Sequence, residues 1–161
     1  MRVIEDVVEL VGLADLSDVF LYEERGRRIE QTLTGDEDGT EPLIRSVMGI
    51  SGLEAQEAHG LGFRFRMIFD DRRGNEFVAD FQARYALGEE CIVPEEIRAE
   101  FAERVAFFAV YPYLRASLQM TASRMSVPAP VLSMVRAGEF KLGDHMNEAD
   151  VAENFEDNVP E

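Results

Sequence analysis

Residues 110–118 of the chain read Val-Tyr-Pro-Tyr-Leu-Arg-Ala-Ser-Leu, and this stretch restricts the fold more than any other. Proline fixes φ and has no N–H to donate, so Pro112 is predicted to lie where a helix begins or bends. The residues that follow at helical spacing form one predicted buried stripe: Leu114, Leu118, Thr121 and Met125. The run Pro128-Ala129-Pro130 is predicted to end this helix, because neither proline can continue it.

The same stretch resembles a helix of the SecB family of cytoplasmic export chaperones, which opens with aromatic, proline, tyrosine, aliphatic and arginine residues. In that family the helix ends in an arginine followed by a proline-rich, apolar connector. The residues that carry the resemblance are Tyr111, Pro112, Tyr113, Leu114, Arg115, Leu118, Arg124 and Pro128. Ala116 departs from the family, which usually has an acid there. The likeness is greatest to divergent SecB-like chaperones, some of which serve toxin–antitoxin systems.

The resemblance implies an ATP-independent holdase that binds non-native polypeptides in apolar grooves and hands them to a partner such as the protein-export machinery. It implies a homo-oligomer, either a dimer or a dimer of dimers, and no cofactor. The candidate client-binding residues are Tyr111, Tyr113, Val131, Leu132, Met134 and Val135. Candidates for the oligomer interface or for helix packing are Phe107, Val110, Pro112, Leu114, Arg115 and Leu118. The candidate acidic face for an export motor ATPase or another basic partner comprises Glu23, Glu24, Asp70 and Asp71.

The strongest β signal is the alternation of apolar residues between Leu61 and Leu87. Odd-numbered positions are apolar in both halves of this segment, which predicts two strands that share one buried face. A three-residue loop at 72–74, with Gly74 in the left-handed region, keeps that register and places Phe69 opposite Phe77. The segment is therefore predicted to be an antiparallel hairpin.

The remaining elements follow from weaker patterns. Residues 3–16 are predicted to form a short amphipathic helix, and residues 17–25 a first strand that Gly26 breaks or bulges. Residues 43–59 fit a second strand with imperfect alternation, although their later part also fits a helix. A helix is predicted from Pro94 onward, with one buried stripe and with Phe107 and Val110 as additional apolar surface for packing between subunits.

Together these elements predict one α+β domain over residues 1–142, with a four-stranded antiparallel sheet and helices packed on one face. Its parts are a short helix (3–16), the sheet (17–88), a helical part (94–126) and an apolar connector (127–142). Residues 143–161 contain acids but no Lys or Arg. They are predicted to form a disordered acidic tail.

Composition narrows the function. A net charge of −16 disfavours nucleic acid as a ligand and favours basic partners. The single cysteine, Cys91, excludes an internal disulfide and is interpreted as a small apolar filler. No apolar run approaches the roughly 20 residues that span a bilayer, and the N-terminus lacks the pattern of a secretory signal. The cytoplasm is the expected location, without direct membrane insertion.

No catalytic residue and no metal site is predicted. His59 and His145 are not near a nucleophile in a recognisable motif, and His59 would indicate an enzyme only if it were buried beside a carboxylate in a cleft. Asp36 and Asp38 are spaced as in a calcium loop, but the later ligands are missing. The alternative to a general holdase is a dedicated interaction module for one partner, such as an antitoxin segment. The sequence does not separate the two, because either would expose an apolar groove.

Overall fold

The computed structural model describes residues 2–29, 43–51 and 58–130, with side chains over 2–29 and 59–130. In chain order the elements are β1 (Arg2–Val3), α1 (Val7–Leu13), β2 (Ala14–Arg28), β3 (Leu43–Ser51), β4 (Ala58–Asp70), β5 (Asn75–Ile92), α2 (Glu95–Phe101), a π-helical turn (Ala102–Ala106) and α3 (Phe107–Met125). The loop at 35–41, the connector from residue 131 and the acidic tail lie outside the described residues.

Four long strands form an antiparallel sheet in the order β3-β4-β5-β2, which confirms the predicted α+β class. The two-residue strand β1 pairs with β5 in parallel, beside Cys91 and Ile92, so the sheet is mixed at this end. The helices cover one face of the sheet. We call this the helix side and the opposite face the outer side.

The hairpin between β4 and β5 is confirmed in its register, with Phe69 opposite Phe77. Asp71 closes the turn, because its Oδ1 accepts hydrogen bonds from the backbone N–H groups of Arg73 at 2.8 Å and Asn75 at 3.0 Å. Gly74 has a φ of 89°, as the predicted loop requires, and Arg72 has a φ of 57°. The second left-handed position was not predicted, since arginine gives no sequence signal for it.

The core fills the space between the odd-numbered residues of the hairpin and the helices. Phe63 is fully buried and stacks on Phe101 of α2, with ring centroids 5.4 Å apart. Tyr85 meets the same Phe101 ring edge-on at 4.9 Å. Burial raises the pKa of Tyr85 to about 12, because the apolar surroundings disfavour the charged phenolate.

The helix predicted over residues 3–16 is wrong at both ends. Arg2 and Val3 belong to β1, and Ile4 continues this contact through an N–H bond to the Ile92 carbonyl at 2.9 Å. The helix then begins after Asp6, whose side chain accepts a hydrogen bond from the backbone N–H of Glu9. Pairing with a neighbouring strand and this helix cap override the helical periodicity of the apolar residues.

Gly26 does not break β2, which continues to Arg28. It pairs with Phe77, and the two irregularities of β2 lie at Ser17 and Tyr22 instead. A Cβ at position 26 would lie 2.3 Å from Met125 Sδ and 2.5 Å from Thr121 Cγ2. The glycine therefore allows α3 to approach the strand closely.

The prediction that a helix begins at Pro112 is wrong, because Pro112 lies inside α3. The change in the helix occurs earlier, in the π-helical turn, where the N–H of Phe107 donates to the carbonyl of Ala102 five residues back. One extra residue in this turn advances the apolar stripe, so Ala106 and Phe107 are buried where an ideal helix would bury Val105 and Phe108. The stripe predicted after Pro112 is confirmed, with Leu114 and Leu118 each 1% exposed.

Among the described residues, no helix is both long enough and apolar enough to cross a membrane.

Candidate functional site

The last two turns of α3 pack on the second half of β2. Ser117 donates a hydrogen bond to Glu24 at 2.9 Å, and Arg124 contacts the other oxygen of the same carboxylate at 3.3 Å. Arg28 donates to the carbonyl of Met125 at 3.0 Å, where it satisfies an acceptor at the helix end. These contacts fix α3 over the strand from Glu24 onward.

The first half of β2 is less well covered on the same helix side. Leu16, Val19 and Leu21 share this face because they pair with the buried residues Tyr85, Ala83 and Phe81. Leu16 is nevertheless 49% exposed and Leu21 is 54% exposed. When another apolar surface covers such half-exposed apolar side chains, they leave contact with water and the free energy falls.

Tyr113 of α3 lies beside this part of β2. Its ring centroid is 5.9 Å from that of Phe81, which pairs with Leu21, and Tyr113 is 48% exposed. We call Leu16, Val19, Leu21 and Tyr113 the apolar strip. It is a shallow surface between a rigid strand and a rigid helix, with Phe81 beneath it.

The two tyrosines predicted to bind clients have different surroundings. Tyr111 is only 9% exposed and packs on Phe107, with ring centroids 5.2 Å apart. Burial raises the pKa of Tyr111, although nearby Arg115 opposes this shift. The structure therefore places Tyr111 at the edge of the core and Tyr113 at the surface. The other four candidates, Val131, Leu132, Met134 and Val135, lie outside the described residues.

The six candidates for an interface or for helix packing also fall into a buried group and an exposed group. Phe107, Val110, Leu114 and Leu118 are at most 3% exposed within a single protomer. Phe107 meets Phe65 of β4 edge-on at 5.6 Å, so its expected role as extra surface for another subunit is wrong. The π-helical turn brings it over the protomer's own sheet. Pro112 and Arg115 are exposed on the opposite side of α3.

The outer side of the sheet carries a charge network that crosses three strands. Arg66 of β4, Asp80 of β5 and Glu23 of β2 lie in one row. Arg66 donates to Glu23 at 2.6 Å and to Asp80 at 3.2 Å. Arg64 binds Asp80 with two nitrogens, at 2.9 and 2.7 Å. Asp80 is completely buried beneath these arginines.

The four carboxylates of the predicted acidic face do not form one acidic surface. Glu24 points to the helix side, because it pairs with Ala79 and contacts α3, so its predicted place beside Glu23 is wrong. Glu23 is held by Arg66, and Asp71 closes the hairpin turn. Asp70 accepts a hydrogen bond from the backbone N–H of Arg72 at 2.7 Å. Whether any of the four binds a partner stays a prediction.

His59 and Cys91 are the described residues that catalysis by a histidine or a thiol would use. His59 has a largely exposed side chain (79%), with Nε2 3.2 Å from Glu90 Oε1, so it does not meet the burial expected of a catalytic histidine. Cys91 is completely buried, and this burial raises the pKa of its thiol. Within residues 2–29, 43–51 and 58–130, no group of three or more His, Cys, Asp or Glu side chains could hold a metal ion.

The sequence pointed to Tyr113 but not to the three β2 residues of the apolar strip. Leu16 and Leu21 belong to a strand whose apolar residues fall on both faces, so their exposure could not be read from periodicity. The alternation over Val19 and Leu21 was a usable signal for the shared face. Which half of β2 is covered depends on where α3 ends, and only the tertiary structure shows that.

Known proteins resemble this chain, whereas no protein-family model matches it. The SecB-like chaperone SmegB of Mycolicibacterium smegmatis is 34% identical over 148 residues, which cover 92% of this chain and 93% of SmegB. The SecB-like chaperone Rv1957 of Mycobacterium tuberculosis, solved in complex with a ChAD peptide from the antitoxin HigA1, superposes with a TM-score of 0.63. That match covers 80% of this chain and 92% of Rv1957 at 15% identity, and it supports the fold. Identity of this extent to SmegB shows that the chain belongs to the SecB-like chaperone family.

Proposed function

We propose that the protein is an ATP-independent holdase of the cytoplasm, which binds non-native polypeptide segments on the apolar strip and hands them to a partner. The observation that carries this proposal is the exposure of Leu16 and Leu21 on the helix side of β2, together with that of Tyr113 on α3, whose ring contacts the Phe81 partner of Leu21. A chain in a non-native state exposes apolar side chains, and burying them against the strip releases water from both surfaces. The charge of −16 favours segments that also carry Lys or Arg.

Homo-oligomerisation belongs to the same proposal. No strand among the described residues pairs with the second edge of β2, which leaves a 15-residue strand with unpaired backbone groups on that side. Long free edges favour pairing with another chain. Several copies would also hold one client at several points, which raises the overall affinity through effective concentration.

A second candidate is a chaperone dedicated to one partner, such as an antitoxin segment. Rv1957 was solved with a peptide from an antitoxin, and that relative supports this candidate for the present chain. The outer side of the sheet supports it too, because Glu23 and Asp80 are neutralised by arginines there. A basic export motor would find little unpaired negative charge on this network.

Calorimetric titration separates the two candidates. The full chain is titrated with several unrelated unfolded polypeptides, with their folded forms as controls, and with single peptides from candidate antitoxins. A general holdase binds most unfolded chains with a Kd of about 1 µM or below and a negative heat-capacity change. Binding of one peptide alone supports the dedicated chaperone. Absence of binding to every peptide and unfolded chain contradicts both.

A variant test addresses the strip itself. Leu16→Ser with Leu21→Ser removes apolar surface without touching the buried core, and Val8→Ser is the matched control because Val8 is 75% exposed on α1. We expect the double variant to weaken client binding at least tenfold and the control to change it less than twofold. Light scattering measures the oligomer in parallel. If the double variant loses oligomer mass, the strip is a subunit interface and the client assignment is wrong.

A further inference from the structure

Five arginines lie around one corner of the protein, where β2 ends, β4 turns into β5 and α3 ends, with Arg25 and Arg27 on the outer side of the sheet and Arg28 and Arg124 on the helix side. They are Arg25, Arg27, Arg28, Arg73 and Arg124, and we call them the arginine corner. The backbone N–H of Ile29 donates to the carbonyl of Gly74 at 2.8 Å, which ties the end of β2 to the turn. The bond from Arg28 to Met125 ties the same end of β2 to α3.

The arginines of this corner face solvent more than the carboxylates that pair with them. The Arg27 side chain is 53% exposed, against 18% for Glu76, its partner at 2.7 Å. Arg124 is 70% exposed, against 19% for Glu24. Arg73 lies near Asp71 and helps to lower the pKa of that carboxyl, and within the part of the chain that the structure describes its guanidinium forms no direct ion pair. The corner therefore presents positive charge to solvent on a chain of net charge −16.

The chain leaves α3 at this same corner. The described part ends at Pro130, five residues after Met125, and the acid-rich segment begins at Gly143. Twelve residues separate the two, and any chain of that length without regular structure would have a root-mean-square span of about 20 Å. The start of residues 143–161 is therefore within reach of the corner.

The acid-rich segment has the complementary charge. It contains seven carboxylates and neither Lys nor Arg: Asp144, Glu148, Asp150, Glu153, Glu156, Asp157 and Glu161. We propose that residues 143–161 dock on the arginine corner of the same protomer. A short linker gives an effective concentration of roughly 1 mM, so an intrinsic Kd of about 0.1 mM would keep about nine molecules in ten docked. Isolated surface ion pairs are weak, so docking requires that several acids of the tail contact the corner together.

A second acidic segment competes for this corner. Residues 30–42 follow Ile29 directly and contain five acids: Glu30, Asp36, Glu37, Asp38 and Glu41. That segment is held between β2 and β3, which restricts the positions that it can take. The tail also has the larger charge. The experiment must distinguish these two occupants.

Paramagnetic relaxation in the full chain makes this distinction. Ala152→Cys carries a nitroxide label, and Cys91 is not labelled because it is completely buried. At low salt we expect the amide signals of Arg27, Arg28 and Gly74 to lose more than half of their intensity. About 0.5 M NaCl, with a Debye length of about 4 Å, should restore them. A tail in which all seven acids are replaced by Asn or Gln should show no loss.

Charge reversal identifies the docking partner. Arg27→Glu with Arg73→Glu should restore the signals of Arg28 and Gly74, whereas the control pair Arg84→Glu with Arg104→Glu should leave the loss unchanged. If wild-type signals are intact at low salt, the corner belongs to residues 30–42 or to no segment, and the proposal fails. It fails equally if the loss survives the reversal. Loss seen only between labelled and unlabelled copies would assign the tail to another protomer and overturn docking within one. If the reversed variant does not fold, the salt series and the neutralised tail still decide.

Discussion

Asp80→Asn should destabilise the protein more than any other single change on the outer side of the sheet. The substitution keeps the size of the side chain but removes the charge that accepts three hydrogen bonds, two from Arg64 and one from Arg66. Arg66 is only 5% exposed, so it cannot recover the lost interaction by hydration. The backbone and the apolar core are untouched.

The size of the expected loss in stability depends on which interactions Arg64 and Arg66 keep in the variant. Losing one partner of a fully buried ion pair costs about 3–5 kcal/mol, because the other charge is left buried without compensation. Arg64 is 27% exposed and rehydrates in part, and Arg66 keeps its bond to Glu23. We therefore expect the lower end, a loss of about 3 kcal/mol in the free energy of unfolding.

Urea unfolding at pH 7, followed by circular dichroism, measures this loss. With a slope of about 2 kcal/mol per molar urea, the midpoint should fall by about 1.5 M. Asp15→Asn is the control, because Asp15 is an exposed acid on the same side of β2 and should change the free energy by less than about 0.5 kcal/mol. Two protein concentrations separate unfolding from dissociation of an oligomer. A loss below about 1 kcal/mol would show that the network contributes little and refute the argument from burial.

Three further predictions concern the packing of α3, the hairpin turn and the thiol. Gly26→Ala should cost about 1–3 kcal/mol in urea unfolding, because its Cβ meets Thr121 Cγ2 at 2.5 Å, and Thr121→Ser should recover part of the loss. Burial raises the pKa of Asp71, but the hydrogen bonds from Asn75 and Arg73 outweigh it and hold the pKa below 3.8. The folded pKa thus lies below the unfolded one, so stability from Asp71 should be present above the unfolded pKa and be lost as the pH falls through the folded one. A destabilisation by Asp71→Ala that stays the same in a pH series from 7 into the acid range would contradict this. Cys91 should react with Ellman's reagent at least a hundredfold faster in urea than in buffer, because folding buries the thiol and raises its pKa. Equal rates in urea and in buffer would show that the thiol is at the surface.

The structure could be predicted from the sequence where a single neighbouring surface determines which side chains are buried. In the hairpin, Phe69 and Phe77 alternate with polar residues, so a period of two and a short loop determine the register. The α3 stripe through Leu114 and Leu118 was predictable for the same reason, since one helix face meets one sheet.

The structure could not be predicted from the sequence where a local preference competes with a contact to a distant part of the chain. Pro112 favours a helix start, but the preceding helix has already changed phase in the π-helical turn and continues through the proline. Val3 has the spacing of a helical residue, yet β5 offers it a strand partner beside Ile92. Glu23 and Glu24 are consecutive strand residues, so alternation places them on opposite faces, but only the tertiary structure shows that one binds Arg66 and the other Ser117. Residues that depend on distant partners in this way carry no local signal.

β2 explains why an apolar strip can remain open on a protein that could otherwise bury it. On the outer side, Glu23 and Tyr22 anchor the strand through Arg66 and through a hydrogen bond from the Tyr22 hydroxyl to Gln82 at 2.5 Å. On the helix side, Glu24 holds the end of α3 over the second half of the strand only. Moving β2 to bury Leu21 would leave the buried Arg66 or Asp80 unpaired, which costs more than the burial of one leucine contributes. Moving α3 would break its contacts to Glu24 and Arg28. The polar contacts of β2 therefore keep the neighbouring apolar surface exposed.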